Sequence, residues 1–258
     1  MSDSPAAPIL EARELVKTFG HVQALRGASF AAYPGEVVAL VGDNGAGKST
    51  LVKCLAGAAQ PDSGEILFDG RPIRPSKPSD SQRLGIETVY QDLALAPDLD
   101  GAANVFLGRE LLRPGVLGRL GVLDKREMRE RARTAFADLG VDLQDASVPV
   151  ASLSGGQRQS VAVARAVAWA NRVVFMDEPT AALGVIQSRR VLDVIRRVRD
   201  RGITVVLISH NMPEVLEVAD RIEVMRLGRR VARLRAADTN LQELVAAMTG
   251  ALTQEDTL

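Results

Sequence analysis

Nine residues, GDNGAGKST at 42–50, put three glycines, one lysine and a Ser-Thr pair directly behind the apolar run EVVALV. Gly42, Gly47, Lys48 and Ser49 fall on the fixed positions of G-x-x-x-x-G-K-[ST]. Glycines let backbone N–H groups turn inward and approach an anion with no Cβ in the way. The loop therefore offers the amides of Asp43, Asn44, Gly45 and Ala46, and a helix starting near Lys48 adds its orphan donors and positive dipole end. Lys48 supplies a point charge for β- and γ-phosphates, and Ser49, with Thr50 behind it, supplies a hydroxyl oxygen for Mg²⁺. The bare backbone faces a nucleoside triphosphate.

Four more segments carry chemistry. RVVFMDEP is an apolar strand ending in two carboxylates. Asp177 stands where a Mg²⁺ partner is expected, and Glu178 is placed to polarise a water attacking the γ-phosphate. LSGGQ, residues 153–157, opens a helix, so Ser154, Gly155, Gly156 and Gln157 form a second anion cradle by the same physics as the first. Two cradles for one triphosphate raise the reading that each closes on a different molecule's nucleotide. His210, in ISHN, ends a strand within reach of a phosphate, and Gln91 ends IETVYQ, where its amide oxygen could bind Mg²⁺ and the attacking water.

These residues need a sheet to line them up. EVVALV (36–41), IETVY (86–90), RVVFM (172–176) and ITVVLIS (203–209) read as strands buried on both faces, the mark of a parallel sheet. Helices are expected over 48–58, 155–170, 185–200 and 212–219. In the third, Val191, Val194, Ile195 and Val198 form an apolar stripe, with arginines mostly off it as a solvated face. The first thirty-odd residues and the turn FDG suggest short antiparallel strands. Residues 92–152 hold loop-like PDLDG and RPGVLGRLG and then a charged helix at 124–140, a helical insertion. Within it Leu93, Leu95, Leu99, Val105 and Phe106 read as a small core or as the wall of a groove for a partner's helix. RIEV with LGRRVARL reads as a closing hairpin, and NLQELVAAMTG as a terminal helix.

Composition narrows the class. The chain has 258 residues, with 32 Lys plus Arg against 32 Asp plus Glu, so net charge gives no reason to expect nucleic acid. Arginine outnumbers lysine 27 to 5, which at neutral balance reads as genome composition. The single cysteine, Cys54, excludes an internal disulfide and reads as core packing. His21, in an expected turn with no metal-ligand company, reads as a surface residue. No signal peptide is visible, and no apolar run reaches membrane-spanning length.

Together the motifs resemble the ATPase subunit of an ABC transporter: Walker A at 42–50, the Q-loop at Gln91, the signature at 153–157, Walker B at 173–177 with Glu178, and the H-loop at His210. The order is complete, and LSGGQ followed by MDEPT is a family fingerprint. The resemblance implies an α/β fold: a P-loop NTPase core with a mainly parallel sheet, an N-terminal antiparallel β subdomain and an inserted α-helical subdomain. The whole chain, 1–258, would be one such domain, with 1–91 and 161–258 as core and 92–160 as helical subdomain. It implies ATP and Mg²⁺, and a head-to-tail pair in which Walker A of one subunit and the signature of the other sandwich each nucleotide. Glu178 would then be the general base, His210 would fix the γ-phosphate and water, and Ser49, Gln91 and Asp177 would serve the metal. Phe19 occupies the place of an adenine-stacking aromatic where tyrosine is commoner.

VYQDLALAPDLDGAANVFLGRE and PTAALG resemble the branch serving importers of ribose, xylose and fructose, in which many members fuse two ATPase domains; this chain resembles the single-domain ones. Implied partners are a second ATPase subunit, a transmembrane permease and, indirectly, a periplasmic binding protein, at the cytoplasmic face of a bacterial inner membrane. Alternatives are another cargo, such as an amino acid or lipid, or a non-transport ATPase of translation or DNA repair. Those usually carry a second ATPase domain with a basic linker, or long coiled coils, and neither is seen here. One departure stands out: after Walker B the family usually carries S-A-L-D, and here Ala181, Ala182, Leu183 and Gly184 follow, with Gly184 at the aspartate's place. That puts communication between the two sites in doubt, not ATP binding.

Overall fold

The computed structural model describes residues 7–90, 92–141, 148–181 and 183–251. The chain starts with two long strands, β1 (Leu10–Phe19) and β2 (Val22–Ala32), then β3 (Val37–Val41), helix α1 (Lys48–Leu55) and the short strands β4 (Ser63–Phe68) and β5 (Arg71–Ile73). Helix α2 (Pro78–Arg83) and strand β6 (Ile86–Val89) lead into a helical region of α3 (Gly101–Val105), α4 (Val116–Arg119), α5 (Lys125–Asp138) and α6 (Gly155–Trp169). The chain then alternates: β7 (Val173–Asp177), α7 (Val185–Asp200), β8 (Thr204–Ile208), α8 (Met212–Val218), β9 (Arg221–Arg226), β10 (Arg229–Arg235) and α9 (Leu241–Thr249).

Six strands form one sheet in the order β10-β9-β3-β8-β7-β6. Every pair from β9 to β6 is parallel, and β10 closes the edge antiparallel. The runs VVALV and TVVLI are buried at every position because both faces are covered. Side chains alternate. Val38 and Leu40 of β3 join Phe175, Val206 and Ile208 in a core shared with α1 and the second sheet. Val37, Val174, Met176 and Val205 face α6 and α7 in another, and Ala39 and Val41 meet Val215 and Leu244 in a third.

The second sheet, β2-β1-β4-β5, is antiparallel. Its first two strands are not short but run 10 and 11 residues. Three register shifts bend the pair, one beside Glu14, which sits at φ 48. Such bulges leave little trace in a hydrophobic pattern. Two short helices, α3 and α4, lie where the sequence reads as loop. Asp100 starts α3 by accepting from the Ala103 amide at 2.7 Å.

Cys54 lies fully buried on α1 among Leu51, Leu55 and Phe30. Burial pushes its thiol up to about 11, since the thiolate is the form that loses water. The folded protein should therefore resist a thiol reagent near pH 8, and labelling should accelerate through the unfolding transition in urea. Rapid labelling without denaturant would overturn this placement.

Candidate functional site

The loop after β3 is seated by close backbone contacts. Gly42 has φ 147, and a Cβ there would lie 2.1 Å from the Met225 carbonyl of β9. Gly47 has φ 100, and its Cβ would meet the Ala24 carbonyl of β2 at 2.7 Å. Gly228 ties the same region together: its amide donates to Ala46 O at 3.0 Å and its carbonyl accepts from Arg26 N at 2.8 Å. Asp43 O accepts from the Ala46 amide at 3.1 Å, which closes the loop. The amides of Gly45, Gly47 and Lys48 donate to no acceptor among the described residues. They form a concave set of donors of the kind that holds phosphate oxygens. A Cβ on Gly45 would meet nothing within 4 Å, so its side of the loop is open. Lys48 is buried and donates through Nζ to Gly42 O at 2.6 Å and Asp43 O at 3.0 Å. Burial lowers its pKa, and the carboxylates of Glu178, Asp43 and Asp177 act the other way. Asn44, Ser49 and Thr50 complete the segment around this lysine.

Strand order brings the carboxylates to the same sheet end, because β8 pairs with β3 on one side and β7 on the other. Asp177 is the last residue of β7, and its pKa is raised by burial first and by Glu178 second. A carboxyl beside a second carboxylate suits a hard divalent cation, which would restore its charge. Glu178 takes φ 51 and anchors its amide to Ile208 O at 2.9 Å. A bulky residue held in that region marks a constrained turn. Its Oε1 lies 2.6 Å from Nε2 of His210, which follows β8.

The second cradle is built at the start of α6. Ser154 caps the helix: its Oγ accepts from the Gln157 amide at 3.3 Å, while Gln157 Oε1 accepts from the Ser154 amide at 2.9 Å. Gly155 and Gly156 abut the next connection, not the first loop. A Cβ on Gly155 would meet Leu183 at 3.8 Å, and one on Gly156 would meet Gln187 Cγ at 2.9 Å. Gly184 starts α7 with no side-chain cap. Gln187 Oε1 lies 2.7 Å from where a Cβ at 184 would stand, so Gln187 fills the volume next to the missing aspartate. Beside it Val185 and Ile186 are 73% and 67% exposed.

Phe19 ends β1 with half its surface exposed and Lys17 Nζ 5.4 Å from its ring centroid, so it is not a core residue. His21 is exposed in the turn that follows. Gln91 and Ala182 lie outside the described residues. Of the stretch 93–108, Val105 and Phe106 are core, Leu93 and Leu95 pack partly against it, and Leu99 is 38% exposed. Leu99, Ala103, Leu107, Leu123, Met128 and Pro149 line a groove of about 380 Å³, so the stretch provides both core and wall.

Sequence reasoning missed the residue that grips the loop after Gln91. Arg165, on α6, donates to Ala94 O at 2.6 Å and Leu93 O at 3.2 Å. Leu93 and Ala94 both have positive φ, 58 and 45, conformations that cost non-glycine residues free energy. The guanidinium holds them there and ties that loop to the helix of the second cradle. One signal was present: Arg165 interrupts the otherwise apolar stretch SVAVARAVAWA. Glu87, buried on β6, likewise pairs with Arg109 at 2.5 Å, and Arg109 stacks 4.9 Å from the Trp169 ring.

Residues 25–181, more than half of the chain, match the family model described as ABC transporter. The chain is 54% identical over 246 residues to the fructose import ATP-binding protein FrcA of Rhizobium meliloti, covering 95% of each. It is 45% identical to the xylose/arabinose import ATP-binding protein XylG of Sulfolobus acidocaldarius, covering 93% of this chain and 94% of that one. The ribose import ATP-binding protein RbsA 1 of Rubrobacter xylanophilus is 44% identical over 96% of this chain, which spans 48% of that relative's length. Among solved structures, the ADP conformation of MJ1267, an ATP-binding cassette of an ABC transporter, superposes with a TM-score of 0.78 at 27% identity, covering 95% of this chain and 96% of that one.

Removing the grip of Arg165 should loosen the loop without touching the first cradle. Arg165→Ala is expected to lower ATP turnover on the order of ten-fold through kcat, with nucleotide affinity unchanged and Arg165→Lys partly restoring it. A variant with parental kcat would show that this contact is structural only.

Proposed function

The chain belongs to the ABC transporter family, and from that premise we propose that it is the ATP-hydrolysing subunit of a monosaccharide importer, acting through a head-to-tail dimer. The pairing of Glu178 with His210 at 2.6 Å, on the sheet end that also carries Asp177 and Lys48, is the observation that carries the hydrolytic part. The sugar cargo rests on the relatives, whose names specify fructose, xylose/arabinose and ribose import.

In this reading the amides of 43–48 and Lys48 hold the triphosphate, Lys48 exchanging its two loop carbonyls for phosphate oxygens. Ser49, Asp177 and Gln91 would hold Mg²⁺, which when bound neutralises charge on the phosphate oxygens. Glu178 takes the proton of the attacking water, and His210 orients that carboxylate and the γ-phosphate end. Phe19 offers an exposed ring to the base. Ser154, Gly155, Gly156 and Gln157 serve the nucleotide held by the other subunit. Two features support this: they pack against Leu183 and Gln187, not against the first loop, and Val185 and Ile186 beside them are exposed.

Residues 92–160 act as the helical unit, whose groove receives a short segment of the permease, and 1–91 with 161–258 act as the core. No helix of the described residues is long and apolar enough to cross a membrane, which suits peripheral attachment at the cytoplasmic face of a bacterial inner membrane. A periplasmic binding protein would act on the permease's far side. Neither the neutral charge balance nor any motif favours nucleic acid as partner.

Glu178→Gln should keep ATP binding, cut turnover by about 10²- to 10⁴-fold and accumulate a dimer with MgATP in gel filtration. Parental turnover in that variant would remove Glu178 from the role of base. Lys48→Ala should weaken ATP binding about ten- to a hundred-fold by calorimetry, the loss of charge-assisted hydrogen bonds; undiminished affinity would discredit the loop assignment.

A further inference from the structure

Residues 111–123, between α3 and α5, form a hairpin that the roles above do not use. Its base is closed by Arg113 N to Val122 O at 2.9 Å, Asp124 N to Leu111 O at 2.7 Å and a bridge between Leu112 and Leu123. Its tip is α4. A Cβ on Gly118 would fall 1.9 Å from the Arg113 carbonyl, so the tip folds tightly back on its own stem. The side chains it carries nonetheless face outward. Leu112, Val116, Leu117, Leu120 and Val122 are 53, 71, 48, 74 and 39% exposed. They make up five of the fifteen exposed large hydrophobic residues among those described, within an eleven-residue span, which sets this span apart from singly scattered surface apolar groups. The hairpin sequence LLRPGVLGRLGVL has two arginines, Arg113 and Arg119, both exposed, and no acidic residue.

We propose that this hairpin docks on a membrane surface of anionic phospholipid, its aliphatic tip entering the headgroup boundary and Arg113 and Arg119 meeting the phosphates. Three observations select that occupant. The charge is of one sign in a chain whose total is zero. Nothing lies within 4 Å of a Cβ on Gly115 or Gly121, so the tip stands clear of the rest of the chain at both positions. The hairpin also continues the groove: Leu123 lines both, and Glu110 and Lys125 line the groove on either side of it. The last argument rests on the reading that the groove receives a segment of the permease, which would put the hairpin on the side of the chain turned toward the membrane.

The test is flotation of the purified full chain with vesicles of phosphatidylcholine plus phosphatidylglycerol and with vesicles of phosphatidylcholine alone. Binding to the first only is expected, falling with salt. Arg113→Gln should lower partition about five-fold, and Arg119→Gln the same again. Val116→Asp with Leu120→Asp should abolish flotation and leave ATP turnover in solution unchanged, which also shows that the variant folds. Absence of flotation by the parent chain, or undiminished flotation of the double-aspartate variant, overturns the proposal. Should the parent fail to float while the double-aspartate variant loses capture by its permease, the hairpin's occupant is the permease and the lipid assignment is wrong. Failure of the importer reading would show separately, as no permease recovered with the tagged parent chain from its native membranes.

Discussion

Everything at the candidate site depends on a close approach of backbone to backbone. The loop behind β3 has no room for a side chain at 42 or 47, because the carbonyls of Met225 and Ala24 already occupy those places. Seating the loop between β9 and β2 leaves the amides of Gly45, Gly47 and Lys48, among others, without an acceptor among the described residues. Glycine is needed at 42 and 47 for two reasons that coincide, the positive φ and the contact distance. A substitution at either position would move the loop off β9 or β2 and Lys48 with it.

The parallel sheet then delivers chemistry to that loop by order alone. β3 has β8 as neighbour, and β8 has β7, so the residues following these strands gather at one end. That is the rule for ligands in open α/β sheets, which bind at the carboxyl ends of strands. Glu178 has positive φ, and its amide is pinned to β8, the strand that precedes His210. The pair is thus set by the backbone and not by flexible side chains reaching across a cleft. The second cradle follows different logic. It belongs to α6 and is braced by α7, with Gln187 covering Gly156 and standing next to Gly184. The residue that departs from the family pattern and the cradle it would serve are therefore in touch through one side chain.

Much of this was legible in local pattern. Short apolar runs located β3, β6, β7 and β8, while β9, which reads only as half of a closing hairpin, is also parallel to β3; α7 occupies the residues its stripe indicates, Val191, Val194, Ile195 and Val198 all being buried. What stayed hidden depends on contacts between residues far apart in sequence. Arg165 meets Leu93 and Ala94 across 72 and 71 positions, and nothing near Arg165 names that partner. The buried network in which Arg221 joins Glu36 and Glu223 spans 185 positions on one arm. The hairpin at 111–123 was read as loop because its apolar residues follow no helical or strand period. They are exposed, so no core imposes one.

Helix α6 links these parts. At its start Ser154 and Gln157 form the capped cradle; midway Arg165 holds the loop after Gln91; at its end Trp169 donates to Val105 O at 2.8 Å and packs edge-on against Phe106 at 5.5 Å. Val105 and Phe106 belong to the segment whose other side chains line the groove. Fifteen residues at 1.5 Å each give a rod of about 22 Å. The groove wall, the loop at 93–94 and the cradle at 154–157 are therefore joined through one helix. Arg109, half-buried, joins Glu87 of the sheet to Trp169 of that helix, so the sheet edge and the groove wall share one cation: cutting it would leave the buried Glu87 carboxylate without its charge partner.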